Sequence, residues 1–84
     1  MKVHWSRGSV IERDVWKEND RKVYDKIYRL LRAIKEAPYQ GLGKPEPLKY
    51  DLSGYWSRRL TRQDRLVYRV TDDAIEVLSC KYHY

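Results

Sequence analysis

The chain has 84 residues, enough for one domain whose thin core buries roughly 60–65% of the unfolded surface, which excludes a deep substrate cavity and leaves an open groove suited to a polymer. Eighteen basic against twelve acidic residues give a formal charge of +6, which favours polyanionic partners such as nucleic acid or an acidic protein. One cysteine, Cys80, excludes an intramolecular disulfide, and with only His4 and His83 beside it there is no Cys/His cluster at metal-ligand spacing.

In chain order, residues 3–5 are short and β-prone and predict a first strand. Ser6 then caps a helix running to about Asn19, with Ile11, Val15 and Trp16 at helical spacing. Asn19 and Asp20 break that pattern and cap a second helix. Its residues Val23, Ile27, Leu30, Leu31 and Ile34 form one apolar face, and Pro38 with the stretch 41–43 ends it. The two helices are expected to form a hairpin against one face of a sheet. Residues 41–47 read as a loop, in which each residue before a proline is held extended, so Lys44 and Glu46 have restricted conformations.

The remainder is β-rich. Short strands are predicted over 48–52 and 55–60, then a hairpin of 65–70 and 74–82 around Thr71, Asp72 and Asp73. Leu66, Tyr68 and Val70 share one parity and Arg65, Val67 and Arg69 the other, which predicts a core face and a basic, wet face. The last strand is ambiguous: Ile75 and Val77 share parity with His83, but Leu78 and Cys80 do not, and a bulge would carry His83 to either side. The fold class is therefore α+β, in the order β-α-α-β-β-β-β. Two helices pack on a mainly antiparallel sheet of four to five strands, all within a single domain spanning 1–84. No apolar run is long enough for a secretory signal or a membrane span of ~20 residues, so the expected location is the cytoplasm, with no membrane partner.

The charge is uneven. Residues 1–36 and 44–69 each carry net +4 and residues 70–84 net −2. The middle stretch holds Lys44, Lys49, Arg58, Arg59, Arg62, Arg65 and Arg69. RNA can be cut without a metal when its own 2′-OH attacks the neighbouring phosphate. That route needs a base, an acid and cations around the phosphorane. Glu46, the one carboxylate in the proline-rich loop, is the candidate base. Arg65, with Arg59 and Lys49, offers groups for phosphate, since the guanidinium fork matches phosphate oxygens. His83 is the candidate acid, because imidazole titrates near neutral pH. Lys44 and Arg58 extend the cationic surface. Trp56, Tyr82 and Tyr84 offer rings on which bases stack. For any one of these residues alone, an ordinary loop, strand or core role is the commoner meaning.

Five segments carry a resemblance: Gly41-Leu-Gly-Lys-Pro-Glu-Pro-Leu-Lys49, Leu52-Ser-Gly-Tyr-Trp-Ser-Arg-Arg-Leu60, Asp64-Arg-Leu-Val-Tyr68, Val70-Thr-Asp-Asp73 and the terminal Tyr82-His-Tyr84. Together they closely resemble the YoeB-like toxins of the RelE/ParE superfamily. Residues 1–40 match mainly in pattern. The resemblance implies the microbial ribonuclease fold of that superfamily and a type II toxin that enters the ribosomal A site and cleaves messenger RNA. It also implies Glu46 as general base, Arg65 on the phosphate, His83 as general acid, Tyr84 shaping the site, Lys49 and Arg59 on RNA, and no cofactor. The implied partners are the ribosome with its messenger, an antitoxin of the Phd/YefM type, and a second copy in a homodimer. The antitoxin's C-terminal segment would wrap the toxin and displace the C-terminal catalytic residues. Two readings compete: a ParE-like gyrase inhibitor of the same fold, and a non-catalytic RNA- or ribosome-binding module. A gyrase binder has no need of the Glu46, Arg65 and His83 set, and the binding module is supported by the basic, aromatic face alone.

Overall fold

The computed structural model describes residues 1–82; His83 and Tyr84 lie outside the described residues. The order is β1 (Lys2–Trp5), α1 (Arg7–Asn19), α2 (Arg21–Glu36), β2 (Glu46–Pro47), a 3-10 turn (Tyr50–Leu52), β3 (Trp56–Arg59), β4 (Arg65–Val70) and β5 (Ala74–Ser79). The sheet runs β1-β5-β4-β3-β2. Only the β1–β5 pair is parallel, a connection the intervening helices make possible, and the other pairs are antiparallel. No described helix is long and apolar enough to cross a membrane.

Both predicted caps form. The Ser6 hydroxyl accepts from the Ser9 N–H at 3.1 Å and donates to the Leu78 carbonyl at 2.8 Å, so it starts α1 and ties it to β5. Asp20, in an extended conformation, closes α1 through its backbone N–H to Trp16 and opens α2 by accepting from Val23 N–H. The apolar face of α2 supplies Ile27, Leu30, Leu31 and Ile34 to the core, against Leu66, Tyr68, Ile75 and Val77 of the sheet. The first helix keeps Trp16 of its predicted stripe against the core but not Ile11. Ile11 is 60% exposed, whereas Ser9 is fully buried, and its small side chain lets α1 approach β5 and donates to the Val77 carbonyl at 3.2 Å.

The predicted strand over 48–52 is replaced. Pairing is confined to Glu46 and Pro47, and the chain then turns through Tyr50–Leu52 back into β3. Local bonds satisfy this backbone: Leu48 donates to the Tyr55 carbonyl at 2.9 Å and Leu52 to the Lys49 carbonyl at 3.1 Å. The last strand ends at Ser79, short of the predicted Tyr82. A bulge pairs Val67 with Ser79 but Tyr68 with Val77, leaving Leu78 as the additional residue. The parity change has a visible consequence. Glu76 reaches outward to Arg69 at 2.6 Å, yet Cys80, four residues on, is fully buried in the core. Val67, expected on the wet face, is also fully buried.

Arg58 was expected on RNA and is instead completely buried. Its guanidinium donates to the carbonyls of Ala37 (2.6 Å), Gln40 (2.8 Å) and Leu42 (3.0 Å), and its Nε to the Tyr68 hydroxyl (3.1 Å). Tyr68 in turn donates to the Pro38 carbonyl at 2.7 Å. The segment joining α2 to β2 is thus clamped onto β3. Gly43 completes the seat. Its φ of +87° suits glycine, and a Cβ there would lie 3.0 Å from both the Arg58 Cβ and Leu30 Cδ2. Trp56 likewise turns toward the helices, packing on the core with its ring 4.7 Å from that of Tyr39, so its predicted role as an RNA platform is corrected as well.

Two predictions follow from this packing. Arg58→Met strips a charged donor from four oxygen atoms and should lower the unfolding free energy by at least about 2 kcal/mol in urea titrations. Arg59→Ala, one residue away on the exposed side, should change it by less than about 0.5 kcal/mol. Burial, followed by the Glu12 charge, pushes the Cys80 thiol up to about 12 from its ordinary 9.0, and burial also raises the Tyr68 phenol. The folded state therefore keeps protons that the unfolded chain releases. Their contribution is complete below about pH 9 and is lost as pH rises toward 12. Denaturant midpoints should fall over that window, and less steeply in Cys80→Ala.

Candidate functional site

The site is built by strand alternation and register. Along β3, Trp56 and Arg58 face the helices while Ser57 and Arg59 face away. Glu46 pairs with Ser57, Ser57 with Val67, and Arg59 with Arg65. Glu46, Arg59 and Arg65 therefore share the sheet face opposite the helices, in two adjacent rows. The backbones carrying Glu46 and Arg65 are separated by β3 alone, two strand spacings or roughly 10 Å. The Arg65 guanidinium closes part of that gap, with its Nη1 donating to Ser57 Oγ at 3.4 Å. It thus reaches the residue directly opposite Glu46.

Two separate shallow clefts hold these residues. Arg59, Thr61, Arg62 and Arg65 line one of about 290 Å³, and Glu46, Pro47, Leu48, Lys49 and Tyr50 line the other, of about 310 Å³. Three guanidinium groups around one open cleft form an anion-attracting surface, and the second cleft adds one carboxylate and one ammonium. Lys44, Glu46, Lys49 and Arg59 are exposed and Arg65 is half-buried. Lys44, expected to be extended before Pro45, instead adopts a left-handed φ of +51° just after Gly43 at φ +87°, so the chain turns here before entering β2 at Glu46. A third cleft, lined by His4, Trp5, Tyr55 and Glu76 among others, holds none of the predicted catalytic residues.

Tyr82 is 63% exposed, so its ring is available. Its backbone is not free: the carbonyl accepts from the Arg65 N–H at 3.2 Å and its N–H donates to the Asp64 carboxylate. The last described residue is thus held against the first residue of β4. The predicted positions His83 and Tyr84 lie outside the described residues. The structure puts Glu46, Arg59 and Arg65 on one sheet face and sets Lys49 in the cleft that Glu46 lines, and it withdraws Arg58 and Trp56 to the other face. Ser57, Thr61 and Arg62 were missed as site residues. The parity Ser57 shares with Arg59 was the available signal for the first, and Arg62 stood in the basic stretch without a reason to single it out.

A family model described as a YoeB-like toxin of bacterial type II toxin–antitoxin systems matches residues 5–84. The chain is 48% identical over 84 residues to Toxin YoeB of Escherichia coli (strain K12), covering all of both chains. Among solved structures it is similar to a YoeB dimer from Staphylococcus aureus, at 41% identity and TM-score 0.95, covering 100% of this chain and 98% of that one. It is similar also to the toxin in the heterotetrameric YoeB–YefM toxin–antitoxin complex of that organism, at 41% identity and TM-score 0.93 with the same coverage. The family match over residues 5–84, the full-length identity and the shared architecture agree, and the chain belongs to the YoeB-like toxins of bacterial type II toxin–antitoxin systems.

Proposed function

We propose that this toxin is a ribosome-dependent endoribonuclease that cleaves messenger RNA in the A site by metal-free general acid–base catalysis. Glu46 takes the proton from the 2′-OH, whose oxygen forms a bond to the adjacent phosphorus. The bond from phosphorus to the 5′-oxygen breaks, and His83 gives that oxygen its proton. Arg65 neutralises the phosphorane oxygens, and Tyr84 shapes the site. Lys49 and Arg59, with Lys44 and Tyr82 at the margins, hold the flanking RNA. The products are a 2′,3′-cyclic phosphate and a 5′-OH.

The observation that carries this reading is the Arg65 guanidinium on Ser57, the cross-strand partner of Glu46. It holds a cation on the open face that also carries Glu46, an arrangement suited to a bound phosphodiester. An open face rather than an enclosed cavity also suits a substrate presented by a ribosome. The Staphylococcus aureus relative is described with YefM and as a dimer, and we extend both to this chain: a YefM-type antitoxin partner, with self-association of the toxin.

Inducing the protein in cells and mapping the 5′ ends of messenger fragments should give cuts in register with the reading frame. Intact messengers together with supercoiling defects would favour a gyrase inhibitor instead. In vitro, His83→Gln should abolish cleavage while ribosome binding and antitoxin binding persist. Arg65→Ala should lose roughly 2–4 kcal/mol of transition-state stabilisation, as expected for a preorganised donor. Less than a tenfold drop in single-turnover rate would remove Arg65 from the phosphorane.

A further inference from the structure

Asp64 is the only buried carboxylate among the described residues, at 8% exposure. One carboxylate oxygen accepts from the Thr61 hydroxyl at 2.6 Å; the other accepts from the backbone N–H of Tyr82, eighteen residues on. The turn that carries Asp64 is itself rigid. Its N–H donates to the Thr61 hydroxyl oxygen at 2.9 Å, and its carbonyl accepts from Leu60 at 3.0 Å and Thr61 at 3.1 Å. The next residue, Arg65, takes up the Tyr82 carbonyl, so both peptide groups of Tyr82 are committed to residues 64 and 65. Upstream, Cys80 N–H donates to the Glu12 carboxylate at 2.8 Å, and the Trp16 indole donates to the Cys80 carbonyl at 2.7 Å. Lys81 alone separates these two points of attachment.

The second attachment adds nothing to the core. β5 has ended at Ser79, the core closes at Cys80, and the Tyr82 side chain is exposed. Tyr82 is nevertheless held at φ +64°, a left-handed conformation that a bulky residue adopts only when its surroundings impose it. We propose that Asp64 is a positioning residue: its carboxylate anchors the carboxyl-terminal tail beside Arg65 and fixes the point from which the terminal His83-Tyr84 pair departs. The inference rests on the acid role given to His83 above. An acid displaced by about 1 Å from its leaving oxygen can lose on the order of a hundredfold in rate, so an anchor one residue away governs the chemical step without touching substrate.

The test uses the full chain as wild type, Asp64→Ala and Asp64→Asn, with two readouts. Amide hydrogen exchange of the Tyr82 N–H should speed at least about tenfold in Asp64→Ala, because its acceptor is gone, while core amides of β4 and β5 keep their protection. Single-turnover cleavage of ribosome-bound messenger should fall at least about tenfold in the same variant, with the dissociation constant for the programmed ribosome changed less than about twofold. Asp64→Asn keeps an oxygen acceptor and should restore cleavage to within about threefold of wild type. Unchanged Tyr82 exchange in Asp64→Ala, or faster exchange with wild-type cleavage, overturns the proposal. Loss of β4 and β5 protection would assign Asp64 to the fold and overturn it equally. A wild-type chain that cuts no messenger would sink the ribonuclease reading, and with it the positioning role, whatever the exchange measurement shows about the anchor.

Discussion

The Arg58 guanidinium is a full positive charge with no exposure to water, and the geometry of the site depends on how that charge is met. Burying a cation is costly unless its donors are all engaged. Here three backbone carbonyls and the Tyr68 phenol surround it, and no buried side-chain polar atom among the described residues lacks a partner. The carbonyls belong to the segment leaving α2, which has little apolar surface of its own with which to dock. Polar attachment therefore holds down a loop that hydrophobic burial alone would leave loose. Glu46 begins its strand four residues beyond the last clamped carbonyl, so the position of the candidate base follows from the burial of a cation on the opposite side of the sheet.

The same strand shows how a β-sheet separates buried from exposed charge. Arg58 and Arg59 are chemically identical neighbours, yet the pleat sends one into the core and the other to the surface beside Arg65. The helical face takes the ring of Trp56 and the guanidinium of Arg58, while the open face keeps Ser57, Arg59, Arg65 and Glu46. The helices cover only one face, so the other remains broad, shallow and cationic. A YoeB-like toxin of this size has no further layer on that side with which to enclose a substrate.

The carboxyl-terminal end obeys a related constraint. Simple alternation through β5 would place Cys80 outside with Glu76, but the bulge at Leu78 reverses the parity and the core takes Cys80. From that point the tail runs between α1, through Glu12 and Trp16, and the turn at Asp64. Hydrogen bonds from three elements distant in sequence thus converge on the last few residues, next to the strand that bears Arg65.

Local information was sufficient for much of this. The helix caps at Ser6 and Asp20, the apolar stripe of α2 and the stop at Pro38 depend on neighbours within a few residues, and all were readable in the chain. The hairpin of β4 and β5 was readable for the same reason, as were the motifs that point to the toxin family and to Glu46, Arg59 and Arg65. What the linear chain left open were questions of partnership across long sequence distances. Which of two adjacent arginines is buried depends on carbonyls 16 to 21 residues away. Whether 48–52 continues as a strand depends on how the chain turns back into β3, and the side taken by Cys80 depends on one added residue opposite Val67. Each is settled by which buried polar groups and faces meet once the elements pack, and that information does not exist until they do.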